Sequence, residues 1–204
     1  MSAMLQLLTG TGLAASTGLN AYIPLLAVGL LARYTGAVTL PAGWDWLSNG
    51  WVLVILAVLL VVELVADKIP AVDSANDVLQ TAIRPTAGGV VFGAGSSAET
   101  LTVSDPGTLF QDRGWVPIAV GVLIALAVHA LKALVRPVLN AMTACLAAPL
   151  ASAVEDTVSL TMSLVALLIP VLVILFVPAL FLTFWWLLRR RRRRKAAAAA
   201  SSGS

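Results

Sequence analysis

Long apolar stretches, separated by short polar segments, make up most of the chain. A bilayer core about 30 Å thick is crossed by a helix of roughly 20 apolar residues. Four stretches approach or exceed that length: residues 13–32, 51–66, 115–135 and 158–188. Backbone groups without partners are too costly in lipid, so each stretch is predicted to span the membrane as a helix. The fourth is longer than one crossing needs, and we expect it to tilt or to bend at Pro170 and Pro178.

Two further segments, residues 70–95 and 136–156, are neither full spans nor ordinary loops. The first is apolar and Gly-rich in its second half, and its first half carries polar residues on one helical face, namely Asp73, Asp77, Thr81 and Arg84. The second contains Pro137 and Pro149 among small residues. We expect each to be either a re-entrant helix that enters the membrane partway or an amphipathic helix at its surface.

The second and third spans show a weak internal similarity. Each begins at a tryptophan and reaches a lysine after the same interval, from Trp51 to Lys68 and from Trp115 to Lys132. Both continue into an Arg-Pro pair, at residues 84–85 and 136–137, although at different distances. Antiparallel spans followed by similar segments would form an inverted repeat, the plan of many transporters.

Composition supports a membrane protein and excludes a soluble one. Of the 204 residues, 59% are hydrophobic and only 11% are charged, whereas soluble domains have about 45–50% apolar and about 25% charged residues. The single cysteine, Cys145, excludes an intramolecular disulfide. The predicted fold is therefore an all-α, polytopic membrane helical bundle with about four full spans and the two additional segments. Residues 1–188 would form one membrane domain.

The positive charge is concentrated near the end of the chain. Residues 189–195 hold seven of the 13 Lys and Arg residues, so the charge is not spread over a folded face as nucleic-acid binding would need. We expect residues 189–204 to be a disordered cytoplasmic tail that binds anionic lipid headgroups, at about 1 kcal/mol per basic residue. Four spans would then place the N-terminus in the cytoplasm as well. Residues 1–15 contain no Lys or Arg, and we expect no cleaved signal peptide.

Charged residues also occur within the predicted membrane zone, where each costs about 2.5–3.5 kcal/mol unless it is paired or faces a cavity. Two groups recur at helical spacing: Glu63 with Asp67, and His129 with Lys132, Arg136 and Asn140. A third pair, Glu155 and Asp156, opens the fourth span. We expect these groups to converge on a polar core between the helices. The alternative is that residues such as Lys68, Lys132 and Arg136 extend to the headgroup boundary.

The first predicted span contains features that weaken a helix. Gly18 and Pro24 flank Asn20 and Tyr22, whose polar groups lipid would not satisfy. This pattern predicts a discontinuous helix beside a binding site. Small and hydroxyl-bearing residues equally favour close helix packing, which remains the alternative.

Signatures of catalysis are missing from the sequence. There is no G-x-x-x-x-G-K-[ST] nucleotide loop and no G-x-S-x-G nucleophile motif. Asp73 and Asp77 have the spacing to bind Mg²⁺, but Arg84 lies on the same face and competes for them. We therefore expect no catalytic residue, no metal site, no cofactor and no enzymatic activity.

Two motifs resemble a known family. They are Gly-Leu-Asn-Ala-Tyr-Ile-Pro at residues 18–24 and Asp-Lys-Ile-Pro-Ala-Val-Asp at 67–73, which continues to Arg-Pro-Thr-Ala-Gly at 84–88. They are similar to the bacterial membrane family known as domain of unknown function 4126, over about residues 10–180. The resemblance implies a multi-pass protein of the bacterial cytoplasmic (inner) membrane and brings no substrate. A looser likeness, of architecture only, is to lipid-carrier flippases with paired re-entrant hairpins.

The leading hypothesis is a small transporter or channel-like permease for an ion or a small anionic solute, including a lipid phosphate, that works as a homo-oligomer. The residues assigned to substrate binding are Arg84, Lys132, Arg136, Asn20, Tyr22 and Asn140. Those assigned to ion or proton coupling are Glu63, Asp67, Asp73, Asp77, Glu155, Asp156 and His129. The alternatives are a non-catalytic membrane scaffold or accessory subunit and, less favoured, a lipid-phosphate enzyme.

Overall fold

A computed structural model describes residues 3–40, 43–96, 115–142 and 148–201. In these ranges the chain forms seven α-helices, two short 3₁₀ turns (Asp45–Ser48 and Pro170–Leu172) and no strand, which confirms the all-α prediction. The helices are α1 (Ala3–Thr17), α2 (Tyr22–Tyr34), α3 (Gly50–Ala66), α4 (Pro70–Gly95), α5 (Trp115–Met142), α6 (Ala148–Leu168) and α7 (Val173–Ser201).

Within the described residues, three helical segments are long and apolar enough to cross a membrane: Trp115–Arg136, Pro149–Leu168 and Pro170–Arg190. Two shorter apolar helices, Tyr22–Tyr34 and Gly50–Ala66, accompany them. Large apolar side chains such as Val54, Val58 and Val62 of α3 are exposed on the outside of the bundle, while charged side chains are buried inside it. This distribution is that of a helical membrane bundle, whose solvent is lipid.

Helices α4 and α5 form an antiparallel pair that defines the two ends of the bundle. Asp77 of α4 contacts Arg136 of α5, and Gly93 of α4 packs beside Ile118 of α5. We call the end near Arg136 the basic end, because α7 reaches Arg189 there, and the other the far end. Residues 70–95 are thus one continuous helix that accompanies α5 along its whole candidate span. The prediction of a half-penetrating or surface segment was wrong for these residues.

A helix hairpin lies in the first predicted span instead. Gly10 of α1 packs against Phe92 at the far end, and Gly18 reaches Val128 inside the bundle. The chain then reverses over residues 18–21, and α2 returns to the far end, where Gly29 packs against Leu47. The expectation of one continuous span over residues 13–32 is replaced by a hairpin whose tip lies inside the bundle.

The predicted fourth span is also two helices. Ala166 of α6 and Val173 of α7 both approach Gly12 at the far end, whereas Leu150 of α6 and Leu187 of α7 share a cavity wall near the basic end. The chain therefore reverses at residues 169–172, where Pro170 lacks an amide hydrogen for a continuing helix. The expected single span over 158–188 was wrong, although the chain does change direction at Pro170, one of the two prolines where a bend was expected.

Residues 136–156 divide between two of these helices. Residues 136–142 complete α5 and residues 148–156 begin α6. Residues 143–147 lie outside the described part of the chain. The prediction of a separate re-entrant or surface helix here is replaced by the ends of two long helices.

The orientation of α3 and α5 excludes the inverted repeat predicted from their similar sequences. Both helices run from the far end to the basic end, as shown by the contact of Arg136 with Asp67, the residue that follows α3. An inverted repeat needs the two units to run in opposite directions. They are parallel because α4 crosses the full bundle between them.

The described ends of the chain lie at opposite ends of the bundle. Helix α1 starts at the far end, and α7 passes Arg189 and Arg190 at the basic end. The expectation that both termini lie in the cytoplasm stays a prediction. Helix α7 continues to Ser201, where the sequence predicts disorder; alanine is the best helix former, which accounts for the difference.

Closest contact between α4 and α5 occurs where glycine faces glycine. A Cβ added at Gly121 would lie 2.5 Å from Phe92 Cβ and would overlap the Gly88 carbonyl oxygen. Such an approach brings the two helix backbones together and fixes the register that aligns their polar side chains.

We predict that Gly121→Ala destabilises the protein by about 1–3 kcal/mol, because the methyl group meets backbone that has no room to yield. Gly50→Ala is the control, since its Cβ would have only ordinary contacts, 3.4 Å or more away. That change should be neutral or stabilising by up to about 1 kcal/mol through helix propensity. Thermal unfolding in detergent micelles, followed by circular dichroism, checks both; equal effects would contradict the close packing.

Candidate functional site

Polar and charged side chains from α2 to α6 meet around the tip of the α1–α2 hairpin. We call this cluster the polar core. Its members are Asn20, Tyr22, Glu63, Asp67, Asp77, Gln80, Thr81, Arg84, His129, Lys132, Arg136, Glu155 and Asp156. The helical spacing of these residues in the sequence is what brings each set onto the inward face of its helix.

Arg84 occupies the centre of the polar core and is fully buried. Its Nη2 donates to Glu63 Oε1 at 2.9 Å, and its Nη1 donates to His129 Nδ1 at 3.1 Å and approaches the Gly18 carbonyl oxygen at 3.5 Å. One side chain therefore joins helices α3 and α5 to the hairpin tip.

The contacts of His129 fix its tautomer. Arginine has only donors, so Nδ1 must accept the bond from Arg84 and the ring is the neutral Nε2–H form. Nε2 then donates to Thr81 Oγ1 at 3.0 Å, and the Thr81 hydroxyl donates to the Asp77 carbonyl oxygen at 2.9 Å. His129 thus connects the centre of the core to the first half of α4.

Lys132 makes the second link to the hairpin tip. Its Nζ donates to the Leu19 carbonyl oxygen at 3.0 Å, pairs with Glu155 Oε2 at 2.9 Å and lies 3.9 Å from Asp67 Oδ2. The lysine is 1% exposed. The contacts with Leu19 and Glu155 are short, and the contact with Asp67 is a longer electrostatic one.

Arg136 lies nearest to the basic end and completes the network. It is 3.7 Å from Asp67 Oδ2 and 3.7 Å from Asp77 Oδ1. Asp67 therefore lies between two bases, and its other oxygen accepts from the amide of Asn76 at 3.2 Å. At 3% exposure Arg136 is enclosed by protein and does not extend to the headgroup boundary.

The hairpin tip supplies backbone oxygens because α1 stops inside the bundle. Carbonyl groups in the last turn of a helix have no intrahelical partner and form the negative end of its dipole. Those of Gly18 and Leu19, just beyond α1, face Arg84 and Lys132. Gly18 is required at this point, since a Cβ would lie 2.5 Å from Val128 Cβ and 2.7 Å from the Ala125 carbonyl oxygen.

The side-chain amide of Asn20 forms hydrogen bonds through both its oxygen and its nitrogen. Its Oδ1 accepts from the backbone amides of Tyr22 and Ile23 at 3.0 and 3.2 Å, which caps the start of α2. Its Nδ2 donates to Asp156 Oδ1 at 3.0 Å. The discontinuous helix predicted for this region is confirmed, and Asn20 both starts the second helix and holds a carboxylate of α6.

Three serines hold α1 against α6 on the far-end side of the tip. Ser16 and Ser163 share a hydrogen bond of 2.9 Å, and Ser159 Oγ donates to the Ser16 carbonyl oxygen at 3.0 Å. These contacts extend the polar interior beyond the charged residues.

The structure brings together all the predicted site residues whose side chains it describes. Lys132 and Arg136 are enclosed by carboxylates, so the alternative of extension to the headgroup boundary fails for them, whereas Lys68 is exposed and fits it. Asp73 and Asn140 lie in α4 and α5, but their side chains are outside the described part of the structure.

Sequence reasoning assigned no role to Gln80, Ser16 or the carbonyl groups of the tip. Gln80 is buried one helical turn before Arg84 and lies beside the Tyr22 hydroxyl. Its spacing of one helical turn from Arg84 could have predicted that both side chains lie on the same face of α4. The carbonyl groups had no such signal, because a backbone oxygen becomes available only where the helix stops.

Acids outnumber bases in the described polar core. Five carboxylates (Glu63, Asp67, Asp77, Glu155 and Asp156) face three bases (Arg84, Lys132 and Arg136), and five minus three leaves a formal charge of −2 with His129 neutral. Among the residues described, no group of three or more His, Cys, Asp or Glu side chains has the arrangement of a metal site. The electrostatics of the core favour a proton or a cation over an anion.

Fold and site together define a helical membrane protein with a buried network of ion pairs around the tip of a helix hairpin. The chain belongs to the family described as Domain of unknown function (DUF4126), which matches residues 7–190. No curated protein and no solved structure matches the chain.

We predict that Arg84→Met lowers the free energy of unfolding by about 3–5 kcal/mol, because it leaves Glu63 charged and buried without its base. The double variant Arg84→Met/Glu63→Gln should recover most of this loss. Arg33→Met is the matched control: Arg33 is an exposed arginine that donates to the Ser48 carbonyl oxygen, and its loss should cost within about 0.5 kcal/mol. Unfolding in detergent would disprove the pairing if the double variant were as unstable as Arg84→Met.

Proposed function

We propose that this protein is a small membrane permease that moves protons or small monovalent cations through the polar core. The observation that carries the proposal is the meeting of a broken helix with buried, carboxylate-rich ion pairs at one place inside the bundle. Ionisable residues inside membrane proteins mark ion and proton pathways. Discontinuous helices expose backbone groups beside such sites in secondary transporters.

The energetics of burial support a functional origin for the charges. Buried ion pairs are often no more stabilising than apolar residues of the same volume, because removing each ion from water costs several kcal/mol. Arg84 and Lys132 bury their full length in a bundle that apolar side chains would fill at lower cost. Apolar packing alone therefore gives no reason to keep them, and their bonds to the Gly18 and Leu19 carbonyl oxygens link both bases to the interrupted helix.

The charge balance supports a cation in preference to the anionic solute considered from the sequence. Each base of the core contacts at least one carboxylate: Arg84 contacts Glu63, Lys132 contacts Glu155, and Arg136 contacts Asp67. In this proposal the bases are internal counter-ions, and the carboxylates exchange them for the transported ion. Asn20 and Tyr22 position the hairpin tip and do not bind solute directly.

Competition for the carboxylates provides a mechanism. A proton or cation that arrives at Glu63 weakens its attraction for Arg84, which also contacts the Gly18 carbonyl oxygen. Neutralisation of Glu155 or Asp67 acts in the same way on Lys132 and its bond to the Leu19 carbonyl oxygen. Occupancy of the acids thereby controls how firmly the hairpin tip is held.

Membrane identity, orientation and assembly are part of the same proposal. The basic end, with Arg189 and Arg190, faces the cytoplasm of a bacterial inner membrane, where positive residues are retained and anionic headgroups bind them. The exposed apolar face of α3 then contacts lipid or a second copy of the chain in a homo-oligomer. In this proposal the protein carries out no covalent chemistry.

A non-catalytic scaffold is the second candidate, and the completeness of the ion pairs favours it. In the described network every base already has a carboxylate partner, as a purely structural core would require. A scaffold predicts a stoichiometric partner that is lost when residues 189–195 are deleted, together with unchanged ion permeability of vesicles.

Ion flux into proteoliposomes tests the permease directly. Vesicles with a trapped pH-sensitive dye, and parallel vesicles with a Na⁺ or K⁺ indicator, should respond to an imposed gradient faster than protein-free vesicles. Asp67→Asn should slow this flux at least 10-fold, because it removes the carboxylate between Lys132 and Arg136. Asp45→Asn, the same change at an exposed far-end residue, should leave flux unchanged.

The double variant Arg84→Met/Glu63→Gln separates transport from folding. It should unfold at nearly the wild-type temperature and still lose the flux, because the exchangeable ion pair is absent. Wild-type vesicles no more permeable than empty ones, or full flux in both Asp67→Asn and the double variant, would overturn the permease proposal.

A further inference from the structure

A second feature lies on the side of the bundle, between α2, α3 and α6. It is a cavity of about 520 Å³, within the 300–1,000 Å³ range of small-molecule sites. Its walls are almost entirely apolar, with Leu26, Leu60 and Leu160 among the side chains that line it. Leu160 is also exposed on the outside of the bundle, so the cavity opens toward lipid.

One carboxylate distinguishes this cavity from an ordinary apolar groove. Asp156 lines it together with Thr157. Oδ1 of Asp156 accepts from Asn20 at the hairpin tip, whereas the buried Oδ2 has no hydrogen-bond partner among the described residues. Of the five described acids in the polar core, Asp156 alone has no base within ion-pair distance.

The neighbouring cavity lacks this property. It measures about 330 Å³ and is lined by Glu155 with residues of α5, α6 and α7. Glu155 is already paired with Lys132 at 2.9 Å, so a ligand cation there would have to displace the lysine. At Asp156 a ligand cation meets no such competitor.

Charge and shape together select the ligand. An unpaired carboxylate in apolar surroundings is costly, and a cation that reaches it without bringing water offsets that cost. The leucine-rich walls require that the rest of the ligand be apolar. Amphipathic organic cations meet both conditions and are concentrated in the bilayer, from which the cavity opens.

We propose that the cavity between α2, α3 and α6 binds a hydrophobic organic cation, with its positive centre at the end lined by Asp156 and its apolar body against α2 and α6. Asn20 connects this carboxylate to the hairpin tip, so the bound cation acts on the same element as the ion pairs. As the substrate class of a transporter the inference rests on the proposed function; binding itself is measured separately.

Tetraphenylphosphonium and tetraphenylborate form a matched pair of probes, because they have nearly the same size and shape and opposite charge. Binding to purified protein in detergent micelles is measured by equilibrium dialysis, with protein-free micelles as background. Tetraphenylphosphonium should bind saturably, and tetraphenylborate should not. Asp156→Asn should weaken tetraphenylphosphonium at least 10-fold, whereas Asp45→Asn should not change it.

A second pair of variants tests the walls in case Asp156→Asn fails to fold. Leu160→Trp fills the cavity and should also weaken binding at least 10-fold. Leu175→Trp places the same side chain at an exposed position of α7 and should have no effect. Equal binding of both probes, or unchanged affinity in Asp156→Asn and Leu160→Trp, would overturn the inference and indicate a cavity that holds lipid chains.

The binding measurement and the ion-flux measurement can succeed or fail independently of each other. Flux without tetraphenylphosphonium binding would retain the permease and remove the organic cation as its substrate. Binding without flux would retain the site and remove the transport role.

Discussion

The structure depends on buried cations that donate into the carbonyl groups of an interrupted helix. Helix α1 ends inside the bundle, where lipid and apolar side chains offer no hydrogen bonds to its last carbonyl groups. Arg84 and Lys132 supply those bonds from α4 and α5, and carboxylates of α3 and α6 neutralise them. Neither part is stable alone, because the tip would have unsatisfied oxygens and the bases would be isolated charges in a dry interior. The hairpin and the ion pairs therefore have to form together.

The bundle therefore has a continuous polar interior, in which the charged groups and the hydroxyl groups lie at different depths. Arg136 and its acids lie toward the basic end, Arg84 and Lys132 meet the tip at intermediate depth, and the bonds between Ser16, Ser159 and Ser163 extend toward the far end. The charged part is thus separated from the far end by the two arms of the hairpin and by hydroxyl groups. In the proposed permease, movement of those arms would connect the two sides, and charge in the core would act on them at the tip.

Much of the site could be predicted from the sequence, and less of the topology. The costs of burying Glu63 and Lys132 are local and large, so their presence in apolar segments indicated a polar core, with extension of Lys132 to the headgroup boundary as the alternative. The break at Asn20 was equally visible, because glycine and a polar amide interrupt an apolar run. The direction of the chain after a break could not be predicted, because the same residues interrupt a helix whether the chain continues or turns back. The chain reverses at residues 18–21 and again at 169–172. At Pro85 it neither breaks nor reverses, because packing along α5 keeps α4 continuous. Those outcomes depend on contacts between distant helices, which make α3 and α5 parallel and remove the inverted repeat.

A high-resolution experimental density map of the protein in a lipid nanodisc tests the central claim most directly. The account predicts that α1 and α2 form a hairpin with its tip inside the bundle, that Lys132 lies against the Leu19 carbonyl oxygen and that Arg84 lies between Glu63 and His129. A map in which residues 13–32 form one uninterrupted crossing, with Arg84 and Lys132 among the headgroups, would contradict it.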